Sequence, residues 1–333
     1  MELRPDDAAL RTVFERTIAP SVFPEQASDD DPTLTLVVGQ PGSGSGRAAR
    51  GLLAEHPGSA ILSADGLRAF HPHYIELSRS RSNEATQIFA EATAAWLRDG
   101  LAYARANRRP LLLEGSFQSA QVASATAELF RREGYRAHLA VVGVPRAVSL
   151  LSEASRYLLA DLAGRATRFS DRAAHDAAFE VTRALVAELE GEASVDRLTV
   201  VGRSGEWVFD SHQVDGFEGA SRALAREHVT PLTGPEGMRW LSELRASTDY
   251  ALEARRLPAQ VAEVLAALHE IAIADVIPRL PLPAESLARS GAEETLKSRL
   301  DALRRAVPAE RTPIDVAAPS VTPSAPGPEV GIR

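Results

Sequence analysis

Short apolar runs alternate with longer amphipathic segments along the first 210 residues of the chain. The apolar runs predict short buried strands at 34–38, 60–62, 110–114 and 138–144. Apolar residues that recur at helical spacing predict helices at 84–106, 118–133 and 146–159, and one long or two shorter helices at 173–190. This alternation is typical of parallel β-α units, in which ligands bind at the carboxyl ends of the strands.

The remaining segments divide the chain into four parts. A short helix is predicted at 7–18, and residues 198–209 resemble two strands joined by a tight turn at Arg203-Ser204-Gly205. Helical periodicity returns at 237–254, 258–274 and 284–306, and the last 27 residues contain six prolines and are expected to be disordered. We therefore expect an N-terminal helix and linker (1–32), an α/β domain (33–215), a helical extension (216–306) and a Pro-rich tail (307–333).

Composition excludes several classes of function. The net charge of −8 over 333 residues argues against a general nucleic-acid binder, which needs a basic face. The chain has no cysteine, which excludes disulfides and thiolate metal sites. No apolar run approaches the ~20 residues of a membrane span, and the N-terminus lacks a signal pattern. We expect a cytoplasmic protein that binds neither nucleic acid nor membrane.

A glycine-rich turn follows the first predicted strand and precedes a predicted helix. It comprises Gly39-Gln40-Pro41-Gly42-Ser43-Gly44-Ser45-Gly46, here called the glycine loop. Backbone N–H groups and a helix N-terminus in such a turn can bind phosphate. The spacing of Gly39 and Gly44 is that of G-x-x-x-x-G-K-[ST], but Ser45 replaces the lysine and Gly46 replaces the residue with the magnesium-binding hydroxyl.

Two acids follow predicted strands at the edge where an α/β sheet binds ligands. Asp65 could accept a proton from an attacking hydroxyl, as the catalytic Asp of a kinase does, or could cap a helix that begins at Gly66. Glu114, followed by Gly115 and Ser116, could hold sugar or alcohol hydroxyls, or could pair with a neighbouring arginine. The residues alone leave both alternatives open.

Arginines and histidines complete the candidate residues. Arg156 and Arg165 lie nine residues apart at a helix end and in the loop after it, where arginines can neutralise charge on a transferred phosphoryl group. Each could equally be a solvated helix residue. His175 and Asp176 open the next helix, where capping or packing is favoured over catalysis. The histidines lack the spacing of a metal site, so no protein-held metal is predicted.

The order of these motifs resembles the zeta-toxin family of P-loop kinases over about residues 33–210. Besides the glycine loop, the matching segments are Asp65-Gly-Leu-Arg68-Ala-Phe-His71-Pro-His-Tyr74, Leu113-Glu114-Gly-Ser116, Arg156-Tyr157, and Arg165-Ala-Thr167 followed by His175-Asp176. The first of these is the most specific. The resemblance implies a P-loop NTPase-like, three-layer α/β/α fold with a mainly parallel sheet.

The resemblance also implies ATP- or GTP-dependent phosphorylation of a sugar nucleotide, with UDP-N-acetylglucosamine as the family substrate. By position, Asp65 would be the general base, and Arg156 and Arg165 would bind the γ-phosphate. Glu114, Ser116 and Arg68 would contact the substrate. Mg²⁺ is expected with the nucleotide, and an antitoxin-like protein is an expected partner.

Departures from the family pattern leave activity open. Ser45 replaces the lysine and Gly46 the Ser/Thr, while Gln118 stands where an arginine is frequent, and loss of one charge donor costs roughly 10²–10³ in rate. The alternatives are a catalytically inactive pseudokinase that binds nucleotide or protein, and a kinase for another small alcohol. Arg47 lies about 200° round the helix from position 45 and is a poor substitute. Two other arginines could replace the lysine, Arg168 and Arg172, and the acidic helix residue of the family could be Glu91 or Asp99.

Overall fold

A six-stranded sheet with helices on both faces forms the centre of the molecule. The computed structural model describes residues 3–23, 29–56, 58–80, 83–115, 117, 119–164, 167–192, 194–254 and 257–306. The strands are β1 (Thr33–Val38), β2 (Ala60–Ser63), β3 (Leu111–Gly115), β4 (Arg136–Val142), β5 (Arg197–Val201) and β6 (Trp207–His212). They lie in the order β2-β3-β1-β4-β5-β6, and only the β5–β6 pair is antiparallel. The predicted three-layer α/β fold with a mainly parallel sheet is confirmed.

Thirteen α-helices surround the sheet in the part of the chain that the structure describes. They are α1 (Asp7–Val13), α2 (Ala19–Val22), α3 (Ser45–Leu52), α4 (Ala64–Arg68), α5 (Tyr74–Ser80), α6 (Asn83–Ala106), α7 (Ala120–Arg132), α8 (Arg146–Leu162), α9 (Arg172–Gly191), α10 (Ala220–Val229), α11 (Gly234–Glu253), α12 (Ala259–Ile271) and α13 (Leu287–Ala306). A π-helical turn joins α1 to α2 and another follows α12. The short helices α4, α5 and α10 were not predicted, since too few residues define their periodicity.

Alternate side chains of the central strand β1 point to opposite faces of the sheet, as the two-residue period of a strand requires. Leu34, Leu36 and Val38 join a large core with helices α1, α6, α7 and α9. Val37 joins a smaller core on the other face, together with the buried side of α3. Both faces of the sheet are therefore covered at its central strand β1.

The N-terminal helix is part of the main core. It extends beyond the predicted 7–18, because the π-helical turn at Phe14–Ile18 carries the chain on into α2. Leu10, Phe14 and Ile18 are buried in the large core, and the indole of Trp96 donates a hydrogen bond to the Leu10 carbonyl over 2.9 Å. Within the predicted N-terminal helix and linker (1–32), residues 24–28 lie outside the described residues.

The C-terminal helices build a second core against α8. Their buried side chains, among them Trp240, Leu244, Val261 and Leu265, pack with Leu150 of α8 and its neighbours. The helical extension thus covers a helix of the α/β domain. Residues 307–333, predicted to be disordered, lie outside the described residues. Within the part of the chain that the structure describes, no helix is both long and apolar enough to cross a membrane.

Candidate functional site

The strand register brings three predicted segments to one edge of the sheet. Glu114, at the end of β3, lies opposite Val37 of β1 on one side and Ser63 of β2 on the other. The glycine loop leaves β1 one residue after Val38, and Asp65 follows Ser63 by two residues. Because these strands are parallel and neighbouring, the loop and both acids converge there, as the sequence predicted.

Two glycines give the glycine loop its shape. Gly42 and Gly44 have φ values of +78° and +89°, in the left-handed region that other residues rarely adopt. A Cβ atom on Gly42 would overlap the carbonyl oxygen of Ser149 in α8. The loop is therefore packed against α8 and ends at the N-terminus of α3. The first amides of that helix lack intrahelical acceptors, so they can bind an anion.

A buried hydrogen-bond network fixes the loop from behind. Gln40 is 1% exposed, and its Nε2 donates to the Val144 carbonyl over 3.0 Å and to Ser149 Oγ over 3.3 Å. Ser149 Oγ lies 2.8 Å from His175 Nε2, and His175 Nδ1 lies 3.2 Å from Asp176 Oδ1. Ser149 and His175 are fully buried, so this Ser-His-Asp series packs α8 against α9 rather than acting on a substrate. The packing interpretation of His175 is confirmed.

A charged pair, Arg146 and Asp176, lies at the outer end of this network. Arg146 donates two hydrogen bonds to the carboxylate of Asp176, over 2.7 and 2.6 Å. Burial raises the pKa of Asp176, but the hydrogen bonds from Arg146 and His175 outweigh it and leave that pKa below its ordinary value. Burial lowers the pKa of His175, which keeps its ring neutral at pH 7. The network thus contains one charged pair at its edge and neutral groups inside.

At the two departures from the motif, Glu114 occupies the neighbouring space. Ser45 Oγ donates to Glu114 Oε1 over 2.8 Å. A Cβ atom on Gly46 would lie 3.2 Å from the same carboxylate oxygen. Glu114 therefore faces the glycine loop. It accepts a hydrogen bond from Ser45, not from the neighbouring arginine that the sequence left open as its partner.

Asp65 is not the N-cap of the helix that contains it. The cap is Ser63, whose Oγ accepts the Gly66 amide over 3.0 Å, and Asp65 lies in the first turn of α4. The capping interpretation of Asp65 is wrong, because α4 begins at Ala64, two residues before the Gly66 start that this interpretation required. The Asp65 side chain is 58% exposed and lines the cleft, so its carboxylate is accessible to a substrate hydroxyl.

Arg156 lies at the cleft but is held by a buried acid. Glu153 is 2% exposed and accepts two hydrogen bonds from Arg156, over 3.2 and 2.8 Å. Arg156 also donates to Thr167 Oγ1 over 2.5 Å and to the Arg168 carbonyl over 2.7 Å. Its guanidinium thereby ties the segment after α8 to α8 itself.

Arg168 places a second guanidinium in the cleft. Its Nη2 lies 3.5 Å from Asp65 Oδ1, and its side chain is only 15% exposed. Arg172, the other arginine considered as a substitute for the lysine, is 53% exposed and lies 3.8 Å from Asp176, outside the cleft. The structure thus separates two arginines that the sequence left equivalent.

These side chains line one cleft of about 250 Å³. Its walls comprise Gly39, Gln40, Pro41, Gly42, Gly44, Ser45, Gly46, Ser63, Ala64, Asp65, Leu97, Glu114, Gly115, Ser152, Glu153, Arg156, Arg168 and Ser170. Nearly all of the glycine loop, both acids and one of the two predicted arginines are therefore assembled in one place. Within the described residues, no cluster of three or more His, Cys, Asp or Glu side chains could hold a metal.

Other predicted residues lie elsewhere. Arg68 is outside the lining of the cleft, with its guanidinium carbon 4.0 Å from the ring centre of Phe89. Glu91 and Asp99, the two candidates for an acidic substrate residue, are also outside it. Glu91 pairs with Arg4, while burial raises the pKa of Asp99. Three further positions, Ser116, Gln118 and Arg165, lie outside the described residues.

Sequence reasoning did not identify Glu153 as part of the site. The Glu153–Arg156 spacing of three residues on one helix predicts a side-chain pair, and this was the available indication. Such pairs are frequent on exposed helix faces, so the spacing alone did not reveal that Glu153 is buried. The position of Arg168 beside Asp65 is likewise set by the fold.

The chain is similar to known toxins in sequence and in structure. Residues 21–214 match the family model described as Zeta toxin. Toxin PezT of Streptococcus pneumoniae serotype 4 is 26% identical over 188 residues, which cover 56% of this chain and 74% of PezT. Toxin zeta of Enterococcus hirae is 24% identical over 212 residues, which cover 62% and 73% of the two chains. A solved structure from work on the PezAT toxin–antitoxin system of Streptococcus pneumoniae aligns with a TM-score of 0.62 at 21% identity, covering 76% of this chain and 98% of that one.

Proposed function

The chain belongs to the zeta-toxin family of kinase-like toxins, and we propose that it transfers a phosphoryl group from ATP or GTP to a hydroxyl of a sugar nucleotide. UDP-N-acetylglucosamine is the first acceptor to test. The observation that carries the proposal is the convergence of Asp65, the glycine loop and Arg168 in one cleft. A phosphate cradle, an accessible acid and a cation are the groups that phosphoryl transfer requires.

Asp65 is the proposed general base. Its carboxylate is more than half exposed and faces the cleft, so it can accept the proton of an incoming hydroxyl. The amides at the start of α3 would bind phosphate oxygens at the other end of the cleft. The register of β2, β3 and β1 fixes the distance between these two groups, which suits a reaction that depends mainly on positioning.

The residues present also fit a magnesium ion bound with the nucleotide. Gly46 has no hydroxyl to offer, but Ser45 Oγ and the Glu114 carboxylate lie together beside the loop, 2.8 Å apart. Both are the hard oxygen ligands that Mg²⁺ prefers, and Mg²⁺ usually takes only one or two protein ligands beside phosphates and water. The ion would neutralise charge on the phosphates. Ser45 and Glu114 would hold it.

Three roles are carried over from the family by position. Arg165 would bind the γ-phosphate, and Ser116 and Arg68 would contact the acceptor. Glu114 is assigned to the acceptor by the same resemblance, yet its contact with Ser45 favours the phosphate end of the cleft.

The test is phosphate transfer from labelled ATP or GTP to UDP-N-acetylglucosamine with Mg²⁺. We expect measurable turnover by the native chain and none by Asp65→Asn, since the base is removed. The double variant Ser45→Lys/Gly46→Thr should be at least as fast as the native chain, because it restores the lysine and the hydroxyl. Asp215→Asn, at an exposed position away from the cleft, is the matched control. Equal turnover by the native chain and Asp65→Asn would contradict the proposal.

The second candidate is a pseudokinase that binds nucleotide without transferring phosphate. The observation that favours it is that Ser45, which replaces the lysine, donates to Glu114, so that a carboxylate stands beside the loop at this position. In that case the native chain binds ATP without turnover, and only Ser45→Lys/Gly46→Thr is active. The same set of variants therefore distinguishes the two functions.

We also propose that the chain acts as the toxin of a toxin–antitoxin pair. The support is the family match and the structural likeness to a protein of the PezAT system. Induced expression in a bacterial host should arrest growth, and Asp65→Asn should not. Growth arrest by both forms would show that toxicity does not come from phosphate transfer.

A further inference from the structure

We propose that Arg168 supplies the cationic charge at the transferred phosphoryl group that a lysine at position 45 would otherwise supply. The inference rests on the proposed kinase function and adds a residue that the family resemblance does not assign. The resemblance assigns Arg156 and Arg165 to the phosphate. The structure points to a further arginine, three residues after Arg165.

The position of Arg168 suits this role. It lies between α8 and α9 and lines the cleft together with the glycine loop and Asp65. Its side chain is 15% exposed, and its Nη2 lies 3.5 Å from Asp65 Oδ1. The guanidinium therefore stands beside the proposed base, in the cleft that the glycine loop also lines. A cation there can meet the γ-phosphoryl group as it passes to an acceptor hydroxyl at Asp65.

Arg168 pairs with Asp65 through Nη2 but keeps a buried donor without a partner among the described residues, whereas the guanidinium of Arg156 is held by several acceptors. The guanidinium of Arg156 donates hydrogen bonds to Glu153, to Thr167 and to the backbone carbonyl of residue 168. Arg168 Nε is buried and has no hydrogen-bond partner within the described residues. A buried donor of a charged group without an acceptor is costly, so the arrangement favours an anion that supplies acceptors.

The balance of charged side chains in the cleft also favours Arg168 as the phosphate-binding cation. The charged side chains of the cleft, within the described part of the chain, are Asp65, Glu114, Glu153, Arg156 and Arg168. Glu153 and Arg156 neutralise each other through two hydrogen bonds. Two carboxylates and Arg168 are left. Among the described lining residues, Arg168 is thus the one cation that can meet the phosphates of a nucleotide.

The backbone around Arg168 is fixed on both sides, which preorganises the charge. Its carbonyl accepts from Arg156 over 2.7 Å. Phe169 is fully buried in the second core, and the Ser170 amide donates to Glu153 Oε1 over 2.9 Å. Donors held in place before the reaction stabilise charge that develops in the transition state. Arg156 and Glu153 act here as positioning residues for Arg168.

The test compares Arg168→Gln with Arg172→Gln, a neighbouring arginine outside the cleft. ATP affinity is measured by calorimetry, and phosphate transfer by the assay above. We expect Arg168→Gln to bind ATP roughly 10- to 100-fold more weakly and to turn over roughly 10²–10³ more slowly, whereas Arg172→Gln behaves as the native chain. Arg168→Lys keeps the positive charge and should retain part of the ATP affinity and part of the turnover. Circular dichroism melts check that each variant is folded.

A charge-relocation experiment makes the inference specific. Adding Ser45→Lys to Arg168→Gln should recover at least tenfold in ATP affinity and in turnover, because it returns a cation to the cleft. The same Ser45→Lys change should not rescue turnover in Asp65→Asn. Recovery in the first pair and not in the second would assign a charge to Arg168 rather than a packing role.

The outcomes separate this inference from the proposed function. If Arg168→Gln binds ATP as Arg172→Gln does, the inference is wrong even when the native chain is an active kinase. If ATP binding depends on Arg168 but no transfer occurs, the kinase function fails and the role of Arg168 in holding the phosphates stands. If the native chain binds no ATP, both are overturned.

Discussion

Removing the C-terminal helices should unfold the α/β domain. The sequence suggested that these helices are an extension, and a chain ending near residue 215 would then be stable. In the structure, α11 and α12 bury one face of α8, the helix that carries Glu153 and Arg156, and α13 packs on α12 in the same core. The truncated chain would expose that face and disturb the cleft.

The loss of stability on truncation can be estimated from the apolar side chains that the second core buries. Five large side chains of α8 and of the segment after it are at most 7% exposed in the second core: Leu150, Leu151, Tyr157, Leu158 and Phe169. Burial of a large apolar side chain stabilises by about 1.5–3 kcal/mol, so exposure of all five costs about 8–15 kcal/mol. The net stability of a folded domain is also about 5–15 kcal/mol. The loss is therefore as large as the whole free energy of unfolding.

Three chain lengths test this reasoning by circular dichroism and urea unfolding. A chain ending at residue 306 should unfold cooperatively, like the full chain. A chain ending at residue 230 keeps α10 and loses only the helices of the second core, and it should show no cooperative transition. A chain ending at residue 215 also loses Phe217, Ala220 and Leu224 from the main core and should be less stable still.

Cooperative unfolding of the 1–230 chain, with a midpoint within a few degrees of that of the full chain, would refute the argument. It would show that α8 is stable without its covering helices. In that case the second core would be a separate folding unit, and its buried apolar contacts with α8 would add little to the stability of the α/β domain.

Three further predictions concern single residues. Gly42→Ala should abolish ATP binding and lower stability by at least ~1–2 kcal/mol, because φ is +78° there and a Cβ atom would overlap the Ser149 carbonyl; calorimetry and melting curves measure this. Burial lowers the pKa of His138 to about 3 from 6.5, so its neutral ring favours the folded state at neutral pH and this contribution is lost as the pH falls below 6.5. Urea unfolding at pH 7 and 5 should therefore show about 2 kcal/mol more loss for the native chain than for His138→Gln. Glu153→Gln should loosen Arg156 and lower turnover without changing the acceptor preference, which steady-state kinetics would show.

Controls accompany these variants. Gly51→Ala lies inside α3 with no atom within 4 Å of its Cβ, so it should keep ATP binding and add up to ~1 kcal/mol of stability. Equal ATP binding by Gly42→Ala and Gly51→Ala would contradict the reasoning about the loop. An identical pH dependence of the native chain and His138→Gln would contradict the pKa argument. Unchanged turnover of Glu153→Gln would mean that Arg156 does not need its buried partner.

The sequence by itself determined the sheet and the position of the glycine loop. Strand and helix periods are local properties, readable in a window of a few residues, and the placement of Asp65 and Glu114 at strand ends follows from them. Parallel strands then bring these ends to one edge of the sheet. The fold class and the convergence of loop and acids could therefore be predicted from residues close together in the chain.

Only the tertiary structure decided which side chains are free to act. Whether Asp65 or Ser63 caps α4 depends on where α4 begins, and the sequence pattern does not define that boundary to within two residues. Arg168 and Arg172 are equivalent in the sequence, yet one lies beside Asp65 and the other outside the cleft. The reason is physical: a side chain's partners come from elements distant in the chain, which packing alone brings together.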